Sequence, residues 1–366
     1  MDFEYSTEQR MLADSLRRLV TEQWSQARRR ARQGRLDAAA WNALAELGVL
    51  GLTIDAEHGG FGEEPASLLP VHMELGRGLA DEPVIPSGVM SAAAIAASGN
   101  AAAASRWLPA IASGQAVLAV AYQEPGRRYA TDPVDCRLSG DMLEGCKHLV
   151  WHGAHAHAWV VSALDTQSGE PVLLVVPADA PGATSAGFGT LDRSSCARIE
   201  FDKVRVTPEN VLARGAAASA ALTRALEWGT AALCAHAAGA TARLLEITAD
   251  YLRTRRQFGQ PLAAFQALQH AIADMAVAKE LSLSMAYVAV AALTETDARA
   301  RRRMIAAAKI EAARTARFVS QKAVQLHGGM GMTDELEVGD FFKRLTVVEL
   351  LFGDTDEQLA IMAETA

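Results

Sequence analysis

The four cysteines, Cys136, Cys146, Cys196 and Cys234, form no CxxC pair and no metal-ligand spacing. No metal site is expected, and the thiols read as reduced and buried, as in a cytoplasmic protein. A basic excess is also missing. The formal charge is -8 and the isoelectric point about 5.6, which counts against a nucleic-acid binder. The runs Arg28-Arg29-Arg30 and Arg301-Arg302-Arg303 are short and read as solvated helix faces. No stretch of about 18 uncharged apolar residues occurs, so no membrane span is expected. Met1-Asp2-Phe3-Glu4 opens acidic, unlike a signal peptide. Aromatics are few, at 6%. Alanine is plentiful instead, which suits closely packed helices because it has the best helix propensity.

Hydrophobic patterning divides the 366 residues into three parts: an N-terminal helical domain over 1–113, an antiparallel β domain over 114–216 and a C-terminal four-helix bundle over 217–366. Ser6 with Gln9 forms a capping box before Leu12, Leu16, Leu19 and Val20 at helical spacing. A second helix over 38–47 stops at Gly48, and 55–64 is a glycine-rich loop. Strands are expected at 117–120, 159–161, 172–176 and 197–206, with Phe201 to Val204 as a tight turn. A long helix over 222–256 breaks at Gln257 to Pro261, a second starts near Ala264, a third covers 302–326 before Gly328-Gly329, and a fourth takes the last residues.

Three segments carry a family resemblance: YLRTRRQFGQPLAAFQALQHAIADM from Tyr251, QLHGGMGM from Gln325 and FDKVRVTPENVL from Phe201. In this order and spacing they resemble the acyl-CoA dehydrogenase family over essentially the whole chain. Within the family, Leu351-Phe352-Gly353-Asp354 is similar to the small subunits of heteromeric bacterial enzymes, of the pimeloyl-CoA dehydrogenase and steroid side-chain type.

The resemblance implies an FAD-dependent oxidation of the Cα–Cβ bond of an acyl-CoA thioester. That reaction needs a base for the α proton and a flavin to take hydride from the β carbon, while hydrogen bonds stabilise the developing enolate. By resemblance Arg255 serves the FAD pyrophosphate, Phe258 and Gln266 its adenine, and Gln325, Gly328, Gly329 and Gly331 a close backbone approach. Thr355 matches a flavin-contacting hydroxyl. Taken alone, Arg255 is a solvated helix-end arginine and Gly328 a plain helix stop.

The family's base sits either nine residues after an arginine, here Gly353 counted from Arg344, or 22 residues before the tyrosine, here Gly229 counted from Tyr251. Glycine takes no proton. Among nearby acids Asp354 is the better substitute, since Glu227 lies about 200° around the helix from Gly229. Glu349 reads as a surface or structural acid, and His236 as a packed residue. The ring-facing stretches depart from pattern too, reading Gln123-Glu124-Pro125-Gly126-Arg127-Arg128-Tyr129 and Leu149-Val150-Trp151-His152. The expectation is a subunit that completes the flavin site of a larger dehydrogenase subunit and lacks the base. Its further partners would be the acyl-CoA and an electron-transfer flavoprotein. The alternatives are an autonomous enzyme using Asp354 and a non-enzymatic scaffold or regulatory subunit.

Overall fold

The structure is a computed structural model that describes residues 5–32 and 34–365. In chain order its helices are α1 (Thr7–Gln23), α2 (Gln26–Arg32), α3 (Ala38–Glu46), α4 (Leu68–Arg77), α5 (Ala92–Ala97), α6 (Ala101–Ala112), α7 (Ala216–Thr254), α8 (Gln266–Ala292), α9 (Ala298–His327), α10 (Val338–Leu350) and α11 (Thr355–Glu364). The strands are β1 (Leu118–Ala121), β2 (Arg137–Ser139), β3 (Met142–Trp151), β4 (Ala158–Asp165), β5 (Pro171–Pro177), β6 (Ala183–Gly189), β7 (Ser195–Arg205) and β8 (Val211–Arg214), then the short pair β9 (Arg256–Gln257) and β10 (Gln260–Pro261). Helical ends with a β middle are thus the observed fold. The chain packs as two compact units: 1–31, 65–80 and 230–366 form one, and 32–64 and 81–229 the other.

The first unit is helical. Ser6 and Gln9 make the expected capping box at α1, each side chain accepting from the other's backbone N–H. Leu16 and Val20 of α1 are buried, and α1 packs along α4. At the crossing of α4 and α7 the backbones touch. A Cβ on Gly76 would lie 2.0 Å from the carbonyl oxygen of His236, and one on Gly239 2.0 Å from that of Met73. Glycine is required at both places by space alone. The helices α8, α10 and α11 pack against α9. The expected single terminal helix is two helices, because Phe352 (φ 59°) and Gly353 (φ 103°) turn left-handed and end the α-helical ladder.

Within the Arg28–Arg30 run Arg28 is exposed, as expected of a solvated face, but Arg29 and Arg30 are not. Arg29 approaches Glu337 at 3.5 Å and Asp340 at 3.6 Å, and Arg30 approaches Asp340 at 3.3 Å. Burial lowers the Arg29 pKa, and the two carboxylates oppose that shift. Among the described residues one helix, α8, is long and apolar enough to cross a membrane; it is a bundle helix lying along α9, with Lys279 and Glu280 in it.

The second unit is built on an eight-stranded sheet of order β6-β7-β3-β2-β4-β5-β8, with β1 also on β4. It is largely antiparallel, as expected, with two exceptions: β1 and β2 both run parallel to β4. Parallel pairing needs a crossover, which the segment from Tyr122 and the β2–β3 hairpin supply. Strand β4 is apolar on both faces and buried along Ala158 to Ala163, whereas β7 alternates, as a half-covered strand does. The expected turn at Phe201 to Val204 lies inside β7. The strand absorbs it as an irregularity, with Lys203 at φ 51° opposite the register shift between Leu143 and Gly145. Val84–Ser91 is a buried π-helical stretch, and the Ser87 hydroxyl accepts from the Leu118 N–H at 3.1 Å.

Candidate functional site

Helix α7 ends at Thr254, and the Arg255 N–H donates to the Tyr251 carbonyl at 2.8 Å. The chain then makes a two-residue hairpin, with Phe258 at φ 54° and Gly259 at φ 80° between β9 and β10. Two left-handed residues give the turn whose twist matches paired strands. The aromatic ring of Phe258 is therefore held away from the chain, 88% exposed, with only an edge contact to Phe265 at 6.1 Å. Gln266 opens α8 and is exposed, as is Arg255.

The end of α9 comes to this hairpin base. The Tyr251 and His327 rings stack with centroids 4.3 Å apart, and the Tyr251 hydroxyl donates to the His327 carbonyl at 3.4 Å. His327 Nδ1 lies 2.8 Å from the Ala323 carbonyl, and burial lowers the ring's pKa, which keeps it neutral. This stack joins the Arg255 hairpin to Gln325, Gly328 and Gly329. Gln325 and both glycines are exposed, and a Cβ on either glycine would meet no atom within 4 Å. Gly328 sits at φ 58° and ψ -141°, a glycine conformation. Gly331 differs: its Cβ would lie 2.8 Å from the Val324 carbonyl, so packing explains it.

An exposed arginine, an 88% exposed aromatic and two open glycines suit an anionic dinucleotide such as FAD. Tyr251 and His327 were within the quoted sequence segments, but their stacking is invisible in one dimension.

The places of the expected base are closed. A Cβ on Gly229 would lie 2.7 Å from Met90 Cγ and 2.8 Å from its Sδ, so buried Met90 fills the direction in which a side chain would project. Gly353 is buried, and its Cβ would lie 2.5 Å from Gln358 Nε2. The nearby acids are engaged. Asp354 is the N-cap of α11 and accepts from the Glu357 N–H at 3.0 Å. Glu227 pairs with Arg224 at 3.1 Å, and Glu349 accepts from Arg317 Nε at 3.1 Å. His236 is buried against Arg344 at 3.4 Å, its pKa held well below the usual histidine value first by burial and then by that guanidinium. Thr355 is the half-buried first residue of α11.

Two lysines that sequence reasoning passed over are fully buried. Lys147 donates to Glu124 Oε1 at 3.0 Å, to the Tyr122 carbonyl at 3.0 Å and to Ser162 Oγ at 3.2 Å. Glu124 also accepts from the N–H groups of Val134, Asp135 and Cys136 at 2.9–3.0 Å. Despite burial its pKa is lowered, by these donors and by Lys147. The pair therefore clamps both feet of the loop 125–135. Above it, Arg128 stacks over Tyr129 at 4.8 Å. In the other ring-facing stretch, His152 is left-handed, buried, and 3.8 Å from Asp81. The second lysine, Lys309, donates to the carbonyls of Glu349 and Gly353, each at 3.0 Å. It falls between Ile305, Ala312 and Ala316 on the buried stripe of α9, a phase that could have marked it in the sequence.

Comparison with known proteins agrees with this architecture. Residues 6–115 match the acyl-CoA dehydrogenase N-terminal domain and residues 219–366 the acyl-CoA dehydrogenase C-terminal domain. The chain is 26% identical to a probable acyl-CoA dehydrogenase, YngJ, of Bacillus subtilis, over 99% of both chains. Among solved structures, it is similar to a Tcur3481-Tcur3483 steroid ACAD variant (30% identity, TM-score 0.88, 98% of this chain and 97% of that one). It is also similar to the ChsE4-ChsE5 complex from Mycobacterium tuberculosis (25% identity, TM-score 0.89, 100% and 98%). The chain belongs to the acyl-CoA dehydrogenase family, FAD-dependent oxidoreductases that act on the CH–CH bond of acyl-CoA thioesters.

Proposed function

We propose that this chain is the base-free small subunit of a heteromeric acyl-CoA dehydrogenase and completes the FAD site of a larger subunit. The observation that carries the proposal is an asymmetry. Arg255, Phe258, Gln266, Gln325, Gly328 and Gly329 lie exposed on this chain, as residues serving a neighbour's cofactor must. Both places for a base are glycine and filled by the chain's own Met90 and Gln358. Similarity to a steroid ACAD and to the two-component ChsE4-ChsE5 structure supports the heteromer. The proposed substrate is the thioester of a bulky acyl group, such as a steroid side chain or a dicarboxylic acid.

FAD, when bound, supplies the hydride acceptor. The chain's own residues would hold it: Arg255 would neutralise the pyrophosphate as a fixed cation able to donate two hydrogen bonds, Phe258 and Gln266 would serve the adenine, and the open glycines would allow close backbone approach. Thr355 would offer a hydroxyl to the flavin. The α proton goes to a carboxylate of the larger subunit. The remaining elements of the proposal are three consecutive family domains over 1–113, 114–216 and 217–366, a cytoplasmic location, and electron-transfer flavoprotein as the acceptor.

The test is expression of the chain alone and together with a larger acyl-CoA dehydrogenase subunit from the same genome. Copurification, FAD retained only by the pair and turnover only by the pair are the expected results. Full FAD occupancy and turnover by the chain alone would refute the proposal.

A further inference from the structure

Lys309 lies wholly inside the helical unit, yet it is an ammonium with no carboxylate bonded to it among the described residues. Its donors go to backbone: the Glu349 carbonyl in the last turn of α10 and the Gly353 carbonyl in the turn that follows, both at 3.0 Å. The final carbonyls of a helix have no partner within the helix, and a buried one left unpaired is costly. A cation at that end is also favoured by the helix dipole. A third side-chain donor acts on the same turn, with Gln358 Nε2 giving to the Phe352 carbonyl at 2.8 Å. Three carbonyls, 349, 352 and 353, are thus gripped by two side chains from α9 and α11. The turn they hold contains the two left-handed residues Phe352 and Gly353, and its exit fixes Asp354 as cap and Thr355 as first helical residue.

We propose that Lys309 is a positioning residue, which by holding the Glu349 and Gly353 carbonyls sets the Leu351–Asp354 turn and so presents Thr355 to the flavin. This rests on the assignment of Thr355 under the proposed function. The groups facing the ammonium are Cys234 from α7, Glu349 from α10 and Asp354 at the start of α11, and they oppose the effect of burial on it. A merely space-filling residue at 309 would need none of this geometry. A neutral isostere would fill the volume and leave both carbonyls unpaired.

The test compares Lys309→Met, Lys309→Gln and Thr355→Val in the oligomer as purified, reading amide hydrogen exchange over 351–357 and FAD affinity. For Lys309→Met, exchange should rise at least tenfold in 351–357, with α8 and the middle of α9 unchanged, and FAD affinity should fall at least tenfold. Lys309→Gln, whose shorter, uncharged amide can still donate, should fall between it and the native chain, which keeps the test open should the methionine variant fold poorly. Thr355→Val should weaken FAD without altering exchange. Faster exchange spread evenly over the bundle overturns the positioning role. So does local loosening at 351–357 in Lys309→Met with FAD affinity intact while Thr355→Val loses it. Unchanged FAD affinity in Thr355→Val refutes the assignment of Thr355 itself, whatever the exchange shows.

Discussion

Restoring a side chain at Gly229 puts it into Met90. The Cβ of Gly229→Ala would stand 2.7 Å from Met90 Cγ and 2.8 Å from Sδ, closer than carbon and sulfur tolerate. In the helix interior alanine is favoured over glycine by about 1 kcal/mol. Overpacking a filled site costs about 1–3 kcal/mol, and Met90 is only 2% exposed, so its thioether has little free space to enter. The expected net change is therefore a loss of about 0–2 kcal/mol. Met90→Ala alone should lose about 2–5 kcal/mol by opening a cavity. In the double variant the new methyl enters that cavity and the clash disappears. Its loss should be smaller than the sum of the single losses by about 1–2 kcal/mol, where independent sites would add within about 0.5 kcal/mol. Urea unfolding of the four proteins, with unchanged denaturant slopes, measures the difference. Additivity within that margin would refute the claim that Met90 occupies the missing side chain's place.

Acid should loosen the helical unit. His72 is pushed down to about 3 by burial and His236 well below its usual value, so the native state binds fewer protons than the unfolded state below about pH 6.5. Their contribution is full above that pH and lost as pH falls, and melting temperatures from pH 7 to 4 should drop less steeply in His72→Asn; an equal slope counts against it. Lys309 is pushed down to about 8 by burial, so between pH 8 and 10.5 the native state again binds fewer protons. Stability should rise through that window, and Lys309→Met should remove the rise; a persisting rise in the variant contradicts this origin. Arg255→Lys should weaken FAD at least tenfold in the oligomer with melting unchanged, since lysine cannot make the two parallel bonds; unaltered FAD affinity would remove Arg255 from the site. Asp354→Asn keeps a capping oxygen and should preserve both melting and turnover, whereas Asp354→Ala should cost about 1 kcal/mol of stability. Lost turnover in the asparagine variant would make Asp354 a base after all.

Local signals carried much of the fold. The Ser6–Gln9 box, the stop at Gly48 and the helix break at Gln257 to Pro261 were all legible, because each depends on residues a few positions apart; that the break is a β hairpin was not. The two glycines at 229 and 353 were equally plain, since an absent carboxylate is a fact of composition. What fills their space was not, because Met90 lies far from Gly229 in sequence and only packing brings them together. Parallel pairing of β1 and β2 with β4 was hidden for the same reason. So was the strand continuing through Lys203, where pairing to β3 overrode turn-like chemistry. Charged residues misled most. Arg29 read as part of a solvated face and Lys147 and Lys309 were passed over, yet the structure sets all three on partners that sequence spacing does not reveal.

The Glu124–Lys147 clamp separates the shape of the 125–135 loop from its composition. Because the anchoring bonds reach backbone N–H groups at the loop's far foot, residues between the feet can change without unseating it. An engineer could exchange the Gly126–Asp132 crown for another sequence of similar length and leave the sheet beneath intact, whereas Lys147→Met would leave the Glu124 carboxylate without its buried counter-charge and free the Tyr122 carbonyl at the near foot.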